Sequence, residues 1–147
     1  MAYEKILGDY LFSNDKLKLQ VDVVHDYLSK ESYWARNIPL ELVEKSIEGS
    51  VCFGVYYNVK QIGFARVITD TASFGYLADV FIVKEFRGKG LSKELMAFIM
   101  NYDPLKKLRR FMLATKDAHE LYTQFGFKAL AEPARFMEIK SFESYTQ

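Results

Sequence analysis

Apolar and polar positions change rhythm several times along this chain, and each change marks an element. From residue 51 the rhythm is two: Val51, Phe53, Val55 and Tyr57 alternate with Cys52, Gly54 and Tyr56. After Asn58-Val59-Lys60 it resumes, with Ile62, Phe64, Arg66 and Ile68 set against Gly63, Ala65 and Val67. Two such runs across a short polar turn predict an antiparallel hairpin. A polar break over residues 69–75 leads into a third strand, 76–83, rich in β-branched and aromatic residues. From Leu91 the period lengthens, and Leu91, Leu95, Phe98 and Ile99 fall on one face of a helix that Asn101-Tyr102-Asp103-Pro104 stops. Residues 111–114 predict another strand. A helix follows with the stripe Ala118, Leu121, Tyr122 and Phe125, opened by a capping box with Asp117 as cap and ended by Gly126. Residues 127–130 and 136–139 read as two last strands.

The chain before residue 51 is less regular. Short alternations at 10–13 and 17–20 flank the turn Asn14-Asp15-Lys16, and at least one of them is a first strand. Residues 22–30 predict a helix with Val23, Val24, Tyr27 and Leu28 on one side and His25, a surface residue, on the other. Residues 32–38 are aromatic, polar and non-periodic. A second helix begins near Pro39 and ends before Gly49, with Leu40, Val43 and Ile47 inward. Residues 141–147 form a polar tail expected to fray.

Composition narrows the class. The chain has 147 residues, 50% of them hydrophobic and 16% aromatic, enough for one domain, 1–147, with a real core. A net charge of +1 gives no basic excess that would suggest a nucleic-acid partner. No apolar run approaches the roughly 18–20 residues of a membrane span, and the start lacks a signal-peptide core, so a cytoplasmic location is expected. One cysteine, Cys52, excludes an internal disulfide and a cysteine-rich metal site, and no metal is expected. In mid-strand, with no His or Asp nearby in sequence, Cys52 reads as a small core residue.

The chemistry concentrates where strand 76–83 meets helix 91–100. The connection contains Arg87-Gly88-Lys89-Gly90-Leu91-Ser92. The first amides of a helix lack internal partners and carry partial positive charge, and glycines let a phosphate approach the backbone. A P-loop would need Lys and then Ser or Thr directly after its last Gly, and a dinucleotide fingerprint would need Gly at position 93, which is Lys. What remains resembles the R/Q-x-x-G-x-G/A loop of the GNAT superfamily of N-acetyltransferases, with Ser92 where that family usually has Gly or Ala. The segment Leu121-Tyr122-Thr123-Gln124-Phe125-Gly126-Phe127 resembles the L-Y-x-x-x-G-F part of the family's second signature, and Asp117 lies near its usual Asn.

The resemblance implies an α/β GNAT acyl-CoA N-acyltransferase fold: a mixed, twisted sheet of about six to seven strands flanked by about four helices. It implies acetyl transfer from acetyl-CoA to a primary amine of a small molecule or peptide, by direct attack in a ternary complex. The alternative is a non-catalytic acyl-CoA-binding or sensing module on the same fold. Coenzyme contacts would fall on Phe81, Ile82 and Val83, with the main chain of Phe81 and Val83 pairing the pantetheine arm. Further contacts would fall on Arg87, Gly88, Lys89, Gly90, Leu91 and Ser92, and on Asp117. Tyr122 would be the general acid, as against a tyrosine merely packed on its helix. Asp79 is the candidate base, or else a structural carboxylate bonded to a helix end or to Tyr33; His119 is the runner-up. Tyr33 and Trp34 either plug the core or line an acceptor pocket. The basic cluster Lys106, Lys107, Arg109 and Arg110 is a solvated connector or a contact for the 3′-phosphate. The resemblance allows a homodimer, although no stretch of sequence marks an interface.

Overall fold

A computed structural model describes residues 1–146. Six strands form one sheet in chain order: β1 (Glu4–Leu7), β2 (Tyr10–Ser13), β3 (Val51–Tyr57), β4 (Lys60–Thr69), β5 (Phe74–Ile82) and β6 (Arg110–Leu113). All neighbours are antiparallel except β5 and β6, which are parallel. The helices are α1 (Val21–Asp26), α2 (Leu40–Glu48), α3 (Leu91–Met100) and α4 (His119–Thr123). A wider π-type turn, Tyr27–Glu31, prolongs α1.

The expected β3–β4–β5 meander is present, and its alternation sends side chains to two cores. On one face Phe53, Val67 and Leu77 pack with Leu91, Leu95, Met96, Phe98 and Ile99 of α3. On the other, Cys52, Phe64 and Phe81 pack with Val24, Leu28, Val43 and Ile47. Each fully buried side chain of this size contributes about 1.5–3 kcal/mol of transfer free energy. Cys52 is the core residue expected, and burial pushes its thiol up to about 11. The β3–β4 connection is a two-residue turn, and both Asn58 and Val59 have positive φ, as a type I′ hairpin requires.

Several expectations are corrected. Of the two early alternations, 10–13 is a strand, β2, and 17–20 begins in a short 3-10 turn at Lys16–Lys18; the first strand is β1, which pairs with β2. Every residue of β1 is exposed, so no buried face printed an alternation on its sequence. Leu40 is half-exposed rather than inward, because Pro39 places it at the first helical position, outside the Val43–Ile47 stripe. Residues 127–130 and 136–139 are not strands: they are irregular around a 3-10 turn at Pro133–Arg135. Their apolar residues act singly. Phe127 packs on Phe111 and Tyr122, while Met137 and Ile139 face solvent. A strand-like composition becomes a strand only where a neighbouring edge pairs with it. Asp117 does not cap α4; the cap position is Ala118, whose N–H donates to Thr115 Oγ1 at 3.1 Å. Gly126 does end that helix. It has φ +95°, its N–H donates to the Thr123 carbonyl, and the Phe127 N–H reaches back to Tyr122, a Schellman closure.

Candidate active site

The sheet opens between β5 and β6. These parallel strands pair only from Phe74 and Arg110 to Leu77 and Leu113. Beyond that point Asp79 has φ +54°, and Asp79 and Val80 together oppose Ala65 of β4. This bulge bends β5 away from β6 and increases the local twist. Between the parted strands lies a cleft of about 670 Å³, lined by residues 76–80 of β5, residues 113–118 from the end of β6 onward, Tyr122, and Tyr33 and Trp34 of the 32–38 loop.

Past the residues that line the cleft, β5 runs on to Ile82 and into the turn before α3. Gly88 and Gly90 have φ near +79° and +78°, which a glycine adopts without a steric penalty, and a Cβ at either would meet nothing within 4 Å. Among the described residues, no protein group accepts a hydrogen bond from the amides of Gly88 to Ser92. The Arg87 amide is used, donating to the Lys84 carbonyl. Its guanidinium folds back, with Nε donating to the Ile82 carbonyl at 3.1 Å and a terminal nitrogen donating to Tyr27 Oη at 2.5 Å. Tyr27 in turn stacks on Phe81 with ring centroids 4.0 Å apart. Arg87 thus fastens the loop to the strand end; Lys89 is exposed.

The strand register corrects the expected use of Val83. Its N–H donates to the Ile62 carbonyl at 2.8 Å, and its carbonyl accepts from Phe86, so its main chain is spent inside the protein. In an antiparallel ladder the outward-facing groups alternate. With Val83 turned to β4, Phe81 is turned there too, and Ile82 faces the open edge. Sequence alone could not supply this phase, because the bulge at Asp79 resets it.

Tyr122 projects from α4 into the cleft and is 9% exposed. Burial, with smaller contributions from Tyr33 and Asp117, pushes its phenol up to about 12. It is therefore fully protonated at neutral pH. Asp117 is exposed at the cleft wall nearby. His119 does not line this cleft; it lines an adjoining hollow with Thr123 and Leu130, and Tyr122 borders both.

Asp79 is already occupied. Its Oδ2 accepts from Arg66 Nε at 2.6 Å and its Oδ1 accepts from Trp34 Nε1 at 2.7 Å. The expected alternatives for Asp79 were a base or a structural carboxylate bonded to a helix end or to Tyr33; its partners are Trp34 and Arg66. Tyr33 instead reaches the opposite lip, where its hydroxyl accepts from the Lys116 N–H at 3.0 Å. Two consecutive aromatic residues thus clasp the two sides of the cleft. Their loop is held from below: Ser32 Oγ donates to the Leu28 carbonyl, Asn37 N–H donates to Ser29, and the His25 ring donates to the Ile38 carbonyl. Both rings remain about half-exposed, so they line the cleft and do not plug the core.

Arg66, Tyr27 and Tyr145 were missed. Arg66 did leave a signal, a cation inside an otherwise apolar alternation. Tyr27 was read only as part of a helical stripe. Tyr145 lies in the tail expected to fray, yet it packs on the Val24–Leu28 cluster and borders the cleft; residue 147 lies outside the described residues. No group of His, Cys, Asp and Glu among the described residues could hold a metal ion, and no helix among them is long and apolar enough to cross a membrane.

Comparison with known proteins agrees with this geometry. A family model described as an acetyltransferase (GNAT) domain matches residues 48–129. An acetyltransferase candidate from Gibberella zeae is 33% identical over 135 residues, covering 78% of this chain and 76% of its own. An acetyltransferase candidate assigned to the GNAT family from Xanthomonas campestris pv. campestris has a crystal structure that matches at 44% identity with a TM-score of 0.88. The match covers 92% of this chain and 95% of that one. An acetyltransferase candidate from Clostridium acetobutylicum, solved with acetyl-CoA, shares the fold at 17% identity and a TM-score of 0.62, over 89% of this chain and 94% of its own.

Proposed function

Because this chain belongs to the GNAT acetyltransferase family, we propose that it transfers the acetyl group of acetyl-CoA to a primary amine by direct attack in a ternary complex. The observation that carries the proposal is the parting of β5 from β6 beside uncommitted amides at residues 88–92. The coenzyme's diphosphate would sit on those amides, where the dipole of α3 also favours negative charge. Gly88 and Gly90 keep the approach open, and Lys89, Leu91 and Ser92 contribute main chain. The pantetheine arm would lie along the free edge of β5, paired through the Ile82 N–H, since the Ile82 carbonyl already accepts from Arg87 Nε, with Phe81 and Val83 flanking it. The thioester would then lie between Asp79 and Tyr122.

The chemistry follows from the groups around that point. The amine nitrogen attacks the thioester carbonyl carbon, the carbonyl oxygen gains charge, and the C–S bond then breaks. A main-chain N–H on the open edge of β5 would polarise the carbonyl. Tyr122, kept neutral by burial, would donate its phenolic proton to the departing thiolate. An alkyl ammonium, with a pKa near about 10.4, must lose a proton before attack. Water in the open cleft is the simplest acceptor, since Asp79 is engaged and His119 lies outside the cleft lining, across Tyr122 in the adjoining hollow. Tyr33 and Trp34 would border the acceptor amine, and Asp117 the coenzyme side.

The test is release of free coenzyme A thiol from acetyl-CoA across a panel of small amines, amino acids and peptide N-termini. Amine-dependent release with formation of the N-acetyl product is expected. Coenzyme binding with no turnover on any amine would favour a binding module instead.

A further inference from the structure

Resting on the reading of the cleft as a transferase site, we infer that Arg66 and Asp79 are positioning residues for Trp34. The indole they hold selects amines carried on a flat apolar group.

The argument starts from an unusual ion pair. The Arg66 and Asp79 side chains are only 16% and 9% exposed, and such a buried pair adds little net stability compared with apolar residues of the same size. What it does supply is direction. The positive φ of Asp79 lifts its side chain out of the ladder at the bulge. Arg66 fixes one carboxylate oxygen, and the other is aimed at Trp34 Nε1. Arg66 is itself fixed from behind, donating to Ser50 Oγ at 3.0 Å, while Ser50 Oγ donates to the Ser46 carbonyl at the end of α2. A continuous chain of hydrogen bonds therefore runs from α2 through β4 and the β5 bulge to one partly exposed indole. Without it, an exposed tryptophan on a loop would exchange among rotamers.

The same contacts set the character of the wall. The Asp79 charge is balanced by Arg66, so an entering amine meets no free carboxylate at this lip. It meets Trp34 and Tyr33, packed edge-to-face with centroids 5.0 Å apart. Ring faces and edges favour an aromatic or flat apolar body behind the amino group over an extended polycation.

The chain has one tryptophan, so indole emission, excited selectively over the tyrosines, reports on Trp34 alone. The variant Arg66→Met/Asp79→Gly removes both charges together and keeps a residue suited to φ +54°. Its emission is expected to move toward that of water-exposed indole. KM for 2-phenylethylamine should rise about tenfold while that for putrescine changes by less than about twofold, with kcat less affected than KM. Adding Trp34→Ala should cost little more, because the three residues act as one unit. In Asp79→Asn the acidic limb of the pH–rate profile should keep its midpoint. Should the double variant fail to fold, Trp34→Phe, which keeps a ring but loses the donor, carries the same KM expectation. Unchanged emission, equal KM changes for both amines, or a displaced acidic limb would each overturn the inference. No turnover with any amine alongside a shifted emission would overturn the transferase reading and uphold the tether.

Discussion

Two tyrosines show how the same side chain takes opposite roles. Tyr122 is buried against Phe127 at the edge of the cleft, and its raised pKa keeps the proton that the proposed mechanism gives to the leaving thiolate. Tyr122→Phe is expected to lower kcat about a hundredfold, within the usual range for one general acid, while coenzyme A binding by calorimetry stays within about twofold. Because the phenol ionises near 12 in the folded chain, it produces no alkaline limb below pH 10 in the wild-type rate profile. The linkage has the same sign. Between about pH 10 and 12 the unfolded chain loses this proton and the folded one keeps it, so stability is full below that window and falls as pH rises through it. Tyr56 has the opposite character. Its hydroxyl is buried with no partner among the described residues, and burial raises its pKa as well. Removing an orphaned buried hydroxyl saves its desolvation cost, so Tyr56→Phe should be neutral or stabilising by about 1 kcal/mol in urea melts.

Among the elements, the turns carry the clearest costs. Val59 is β-branched, almost fully exposed and held at φ +66°. An L-residue in that conformation costs about 1–2 kcal/mol, and Asn-Gly is the favoured pair for this hairpin turn. Val59→Gly should therefore stabilise the protein by about 1 kcal/mol, read as a Tm increase of about 2–4 °C. Gly63 behaves differently: its φ is unremarkable, but a Cβ there would lie 2.7 Å from Ile82 Cδ1 and 3.1 Å from Val55. It lets β3, β4 and the end of β5 pack closely just behind the loop into α3. Period-two alternation located these strands correctly. It did not locate β1, which buries nothing, and it overcalled 127–130 and 136–139, where apolar residues find partners one at a time.

For the molecule as a whole, the cleft is a consequence of sheet geometry. Two cores hold the sheet from either face, and Tyr3 adds a brace by donating its hydroxyl proton to the Phe98 carbonyl of α3. A scaffold fixed in this way can hold β5 and β6 apart without collapse. A ligand that binds only this folded state must raise Tm. Coenzyme A at a hundred times its Kd should add about 2.7 kcal/mol. Differential scanning calorimetry with and without the coenzyme reads this directly, and no shift at saturating coenzyme would remove the proposed site.

The sequence by itself determined the meander, the amphipathic α3, the glycine turn before it and the placing of Tyr122 on a short helix closed by Gly126. These depend on local periodicity and on residues that only particular backbone conformations accept. Tertiary structure alone decided which strand residues face the open edge, since one bulge at Asp79 shifts the alternation. It alone brought Arg66 and Trp34, 32 positions apart in the chain, to the two oxygens of one carboxylate. A side chain's chemistry is written in its identity, but its partners are fixed by which distant segments the two cores pull together.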